Sequence, residues 1–174
     1  IQSSKDSGID LNAKNDSGTT AWHFACYICK TETAKLIIQS SNDFGVDLTA
    51  KDDCGKTAWH IACINGRTET ALLIIQSSKD FGIDLNARDD CGNTALHFAC
   101  NTGRTEIVQL MIKNRKEFGI YIKAQNNQDR TALDITKKLI EDAYSFCFLK
   151  PGHYQIIEIL EHEYSKMDVT DQAA

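Results

Sequence analysis

No apolar run in the 174-residue chain approaches the ~20 residues a helix needs to cross a bilayer, so no membrane-inserted helix is expected. Positive charge is scarce as well. Nineteen Lys and Arg stand against 24 Asp and Glu, giving a formal net charge of −5 and an isoelectric point near 5.5. Phosphate-backbone binding needs a clustered basic face, and on this composition no nucleic-acid partner is expected. There is no signal-peptide pattern of basic start, apolar run and small-residue cleavage site. Nor is there a nucleophile elbow, a phosphate loop or a Cys/His set at metal spacing. Neither an enzyme nor a protein dependent on a metal or cofactor is expected.

What the chain has is repetition. "TAWHFACYICKTETAKLIIQSS" from Thr20 to Ser41 returns as "TAWHIACINGRTETALLIIQSS" from Thr57 to Ser78, and Thr20, Thr57, Thr94 and Thr131 follow one another every 37 residues. A fixed period of this size marks stacked supersecondary units with one elongated core. The 42% apolar and 25% charged content is that of a globular protein. "IQSSKDSGID" at 1–10 matches "IQSSNDFGVD" at 38–47 and "IQSSKDFGID" at 75–84. The chain is therefore expected to open inside a unit, as a monomeric piece of a longer array.

The seven cysteines follow the same ruler. Cys26, Cys63 and Cys100 share one repeat position, Cys54 and Cys91 another, and Cys147 lies off the period. Equivalent positions in stacked helical units are roughly 8–10 Å apart, beyond the ~7 Å Cα limit of a disulfide. Reduced thiols are expected, which suits an intracellular setting, cytoplasmic or nuclear.

Within the third unit, Thr94 stands where an N-cap belongs, and Ala95, Leu96, Phe98, Ala99 and Cys100 predict a first helix of about nine residues. Gly103 supplies a turn, Thr105 is a second candidate cap, and Ile107, Val108, Met111 and Ile112 predict a longer second helix to Phe118, stopped by Gly119. A polar finger then leads to the next threonine.

This arrangement resembles the ankyrin repeat. The residues that carry the resemblance are "DSGTTAWHFA", "DCGKTAWHIA" and "DCGNTALHFA", preceded in turn by "DLNAKN", "DLTAKD" and "DLNARD" and each followed by a second helix, over about residues 9–140. It implies an all-α solenoid of helix-turn-helix units joined by β-hairpin-like fingers. The units are expected at 11–47, 48–84 and 85–121, after a remnant at 1–10. A divergent capping unit at 122–166, with an insertion at 141–153, and a disordered tail at 167–174 complete the organisation. Two departures stand out. Ankyrin repeats place proline after the threonine, whereas all four copies here have alanine and the single proline is Pro151. The period exceeds the usual ~33 residues by about one helical turn, so helix two is expected to be longer, with Phe44, Phe81 and Phe118 folded back as plugs.

Some chemistry-bearing residues have structural readings. His23, His60 and His97 lie a repeat apart, too far to share a zinc ion, and each is expected to bond its own helix start and the neighbouring finger. Cys26 and Cys29 have redox-motif spacing, but they end helix one, where the dipole opposes a thiolate. Asp52-Asp53 and Asp89-Asp90 read as solvated finger tips. In the last unit Asp129 replaces the finger glycine and Asp134 the histidine.

By resemblance, the expected function is protein recognition by a scaffold or adaptor, on a concave face of finger tips and inner helix-one residues. The first unit offers Lys14, Asp16, Ser17, Thr19, Tyr27 and Ile28, and the second Lys51, Asp53, Cys54, Lys56, Ile64 and Asn65. The third offers Arg88, Asp90, Cys91, Asn93, Asn101 and Thr102, and Gln125, Asn127, Gln128 and Arg130 continue the row. Few aromatics other than Tyr27 lie on this face, so a polar partner with many modest contacts is expected. The alternatives are a regulatory array of a larger channel or enzyme, and a pathogen effector that captures a host protein. The resemblance also makes Asn12 and Asn86 candidates for asparaginyl hydroxylation, beside a plain turn role.

Overall fold

A computed structural model of the chain describes residues 10–28, 31–143 and 151–170. The remnant before Asp10, Cys29, Cys147 and the aromatics Tyr144, Phe146 and Phe148 lie outside them. Eight helices are present among the described residues: α1 Ala21–Tyr27, α2 Thr31–Phe44, α3 Ala58–Ile64, α4 Thr68–Phe81, α5 Ala95–Asn101, α6 Thr105–Phe118, α7 Ala132–Ala143 and α8 Gly152–Thr170. First helices stack on first helices, α1 on α3 on α5 on α7, and second on second, α2 on α4 on α6 on α8. The molecule is an all-α repeat solenoid, and no described helix is long and apolar enough to cross a membrane.

The first helices of the three regular units have seven residues, not nine. In the second and third units a turn through Gly66 and Gly103, at φ 67° and 66°, sends the amides of Arg67 and Arg104 back to the carbonyls of Ala62 and Ala99 at 2.9 Å. That closes the helix early. The second helices have 14 residues and begin with threonine as the first helical residue, so Thr105 is not the cap; Arg67 and Arg104 precede Thr68 and Thr105 at that position. Their side chains instead donate from Nε to the carbonyls of Tyr27 and Ile64, at 3.1 and 3.0 Å, tying each unit to the end of the helix before it. Gly82 and Gly119 close α4 and α6 in the left-handed conformation, and Phe81 and Phe118 pack half-buried against the core.

Trp22 and Trp59 are almost wholly buried. Besides filling width, each indole Nε1 donates to a carbonyl of the next unit, Leu48 at 3.2 Å and Leu85 at 3.1 Å. The next carbonyl in that register belongs to Ile122, and the third unit has Leu96 in place of tryptophan. Its donor is the hydroxyl of Tyr164 on α8, at 2.6 Å. Likewise the carbonyl of Asn101, equivalent to those of Tyr27 and Ile64, is met by His153 Nε2 at 3.3 Å instead of by an arginine.

The flanking helices reach into the segment expected as an insertion. α7 continues to Ala143 and α8 starts at Gly152, so the ends of the 141–153 segment belong to helices. α8 also runs to Thr170, past the expected start of the tail, because Tyr164 and Met167 still pack on the core.

Candidate functional site

Each finger is organised by one side-chain oxygen. Oδ1 of Asp52 accepts the amides of Cys54 and Lys56 at 2.9 and 2.8 Å, and Oδ1 of Asp89 those of Cys91 and Asn93 at 3.0 and 2.7 Å. Asn15 and Asn126 act likewise in the first and last fingers. Backbone pairs close the same turns, the amides of Asn15, Asp52, Asp89 and Asn126 donating to the carbonyls of Thr19, Lys56, Asn93 and Arg130 at 3.1, 2.9, 3.0 and 3.0 Å, so side chain and backbone together hold each finger. An isolated bridge between Lys51 and Thr57 is the strand pairing recorded among the described residues. Asp52 and Asp89 are half-buried within these turns, not solvated tips.

Neighbouring fingers are joined backbone to backbone. The amides of Asp53, Asp90 and Asn127 donate to the carbonyls of Ser17, Cys54 and Cys91 at 3.1, 3.2 and 3.0 Å. This approach requires glycine at 18, 55 and 92, whose φ values are 70°, 75° and 77°; a Cβ there would lie 2.7–2.8 Å from the incoming amide nitrogen. Asp129 stands at the equivalent position of the last finger with φ 56°. Lys14 and Lys51 reinforce the stack, donating from Nζ to the carbonyls of Lys51 and Arg88 at 2.7 and 2.8 Å.

The histidines bridge the same levels. His60 Nδ1 accepts from the Thr57 amide at 3.1 Å and lies 2.9 Å from its hydroxyl, while Nε2 faces the Asn93 carbonyl at 3.3 Å. His23 does this between Thr20 and Lys56, and His97 between Thr94 and Arg130. This geometry selects the neutral ring that carries its proton on Nε2. Burial pushes all three imidazoles below their ordinary value, against the opposing pull of the carbonyl each one meets. In the last unit Asp134 keeps the local half of the arrangement, its Oδ2 accepting from the Thr131 amide at 2.8 Å and hydroxyl at 2.7 Å.

Asn12 and Asn86 do not serve their own turns, which are held by Asp10 and Asp84. Each carboxamide spans to the next unit. Asn86 donates to the Gly119 carbonyl at 2.8 Å and accepts from the Tyr121 amide at 2.8 Å, and Asn12 does the same with Gly45 and Asp47. Cys26, Cys63 and Cys100 are buried free thiols, whereas Cys54 and Cys91 are exposed; desolvation pushes Cys100 up to about 12 and makes it a poor nucleophile.

All 22 expected contact residues are exposed or half-exposed. Between the third and fourth fingers the surface opens into a groove of about 520 Å³, lined by seven of them: Asp90, Cys91, Asn93, Asn101, Asn127, Gln128 and Arg130. Its floor holds residues that the sequence reading missed, Phe98 and Ile135. One repeat apart from these lie Phe24 and Ile61. Phe24 is 49% exposed beside Tyr27 at 54% and Ile28 at 49%. The face is therefore richer in apolar surface than expected. Its helical signal was present, since Phe24, Tyr27 and Ile28 are spaced i, i+3, i+4.

A stack of this kind, with helix pairs joined by glycine-dependent fingers, is the architecture of a helical-repeat solenoid. Residues 60–112 match the family model for ankyrin repeats (many copies). These residues are ankyrin repeats, which as a class are protein-interaction modules and typically not enzymes. No curated protein matches the chain.

Proposed function

We propose that the chain is a protein-binding scaffold that takes its partner along the finger tips and the inner faces of α1, α3, α5 and α7. One observation carries the reading: Phe24, Ile61, Phe98 and Ile135 recur at one repeat position without being buried, and Phe98 and Ile135 share a groove with finger residues. Apolar side chains held in a row under a polar rim match the anatomy of recognition surfaces. The partner suited to this face is amphipathic, with apolar side chains over the row and polar groups toward the fingers, not the purely polar one expected. Tyr27 is its strongest single anchor, because an exposed aromatic beside Phe24 and Ile28 offers the largest area to desolvate. Lys14 and Lys51 are contact residues of lesser weight, as their ammonium groups already hold neighbouring carbonyls. The free thiols support an intracellular setting.

The test is affinity capture from cell extract with the 174-residue chain, quantified by mass spectrometry. Tyr27→Ala combined with Phe98→Ala should lose the proteins retained by the unaltered chain, while Lys35→Glu on the exposed side of α2 should keep them. Equal capture by the Tyr27 and Phe98 double variant would rule out this face.

A further inference from the structure

The third unit departs from the first two in one segment away from the fingers. Residues 39–49 carry no cation against Asp43 and Asp47, and residues 76–86 carry Lys79 against Asp80 and Asp84. The equivalent 113–123 carry Lys113, Arg115, Lys116 and Lys123 against Glu117, so the formal charge goes from −2 and −1 to +3. In the same segment an aspartate of the earlier copies, Asp47 and Asp84, becomes Tyr121, which is 69% exposed. This swing occurs within a chain whose net charge is −5.

The structure brings two of these cations, Arg115 and Lys116, together with Tyr121 into a groove of about 360 Å³ at the end of α6. Arg115 and Lys116 stand on one wall, Ile120 and Tyr121 lie in the loop after α6, and Lys166 and Met167 of α8 form the far side. Glu163 lies between two of the cations, 2.6 Å from Arg115 and 3.0 Å from Lys166. Arg115 and Lys166 both meet Glu163, and the exposed Lys116 adds a third positive side chain to the lining. The Arg115 pair fixes α8 against α6, so the two walls are held in place before anything binds.

We propose that this groove is a second binding site, separate from the finger face, that takes an acidic segment of a partner protein carrying one apolar side chain among its carboxylates. Charge complementarity selects the acidic residues, and the space between Ile120, Tyr121 and Met167 receives the apolar one. A lipid headgroup layer would engage the cations too, but it has no side chain to fill a concave apolar floor, so a peptide is the occupant. Cations around an apolar slot give recognition that is both salt-dependent and dependent on the anchor.

Fluorescence anisotropy of a fluorescein-labelled peptide, a leucine flanked on both sides by glutamates and aspartates, provides the test on the full chain. Saturable binding in the micromolar range is expected, weakening as sodium chloride rises. Lys116→Glu and Tyr121→Ala should each weaken it about tenfold or more, with thermal melting unchanged because both side chains are exposed. Phe98→Ala should leave it unaltered, which separates this site from the finger face. The proposal is overturned by an absence of saturable binding, by equal affinity for a peptide with alanine in place of the leucine, or by binding that survives Lys116→Glu and Tyr121→Ala together. Loss on Phe98→Ala alone would place the peptide on the fingers. Sedimentation of the chain with phosphatidylserine vesicles, sensitive to Lys116→Glu and without peptide binding, would assign the groove to membranes.

Discussion

His23, His60 and His97 each use one ring nitrogen inside a unit and the other between units, so protonation removes the acceptor at Nδ1 while the ring stays buried. The charged neighbours do not compensate: Asp52 and Lys14 act on His23, Asp89 and Lys51 on His60, and Arg88 and Asp89 on His97, in opposing pairs. Because the folded values lie below the unfolded one, the unfolded chain binds more protons through this range. Stability is thus fully present above about pH 6.5 and falls as the pH drops toward the folded values, by at most about 1.4 kcal/mol per pH unit for each ring. Urea midpoints between pH 7.5 and 5 should decline, and His60→Gln should flatten that decline. An unchanged slope in His60→Gln would remove the central histidine as a source. The local half of this arrangement was legible in the TAWH spacing, because a cap and its third residue are neighbours on one turn. The roles of Asn12 and Asn86 were not, since their partners Gly45 and Gly119 lie 33 residues away and the "DLNA" context imitates a self-contained turn.

At the scale of the element, the finger is the part most sensitive to a single methyl group. Gly55→Ala meets both a left-handed φ of 75° and the incoming amide of Asp90, and should cost more than about 2 kcal/mol. Asp129→Gly removes a left-handed non-glycine residue and should stabilise by about 0.5–1 kcal/mol. Chemical denaturation of the two variants checks the contrast, and a Gly55→Ala protein as stable as the parent would mean that the fingers do not stack as described. The helix pair itself was readable from apolar spacing and glycine stops. The closure of the finger was only partly readable, because turn residues signal a reversal without saying which side-chain oxygen joins the backbone pair that closes it.

Across the whole molecule, stability is distributed as links between successive units, and a broken link matters most where it divides the array. Trp22 and Trp59 have equal burial and equivalent hydrogen bonds, yet among the described units Trp22→Ala loosens the link of the first to the second whereas Trp59→Ala cuts the link of the second to the third, with units on both sides. Both lose a large core side chain worth about 3–5 kcal/mol, and Trp59→Ala should show the lower denaturation midpoint. Tyr164→Phe tests the substitute donor of the last unit; orphaning the Ile122 carbonyl should cost about 1–3 kcal/mol, measured by the loss of helical signal on heating. The period of 37 made the array visible at once. The fourth unit was obscure because it fills the roles of Trp and Arg with Tyr164 and His153 from a helix outside the period.

The Asp129 side chain also governs growth of the stack. Suppose that a 37-residue copy were duplicated within the gene. Inserted between Thr20 and Thr131, it would meet a glycine-bearing finger on one side and a matching amide on the other, and the lattice would simply lengthen. Placed after Asp129, its first finger would encounter a β-carbon where it needs open space. Internal copies thus meet glycine on the finger before them, whereas a copy stacked directly on Asp129 would call for glycine at that position.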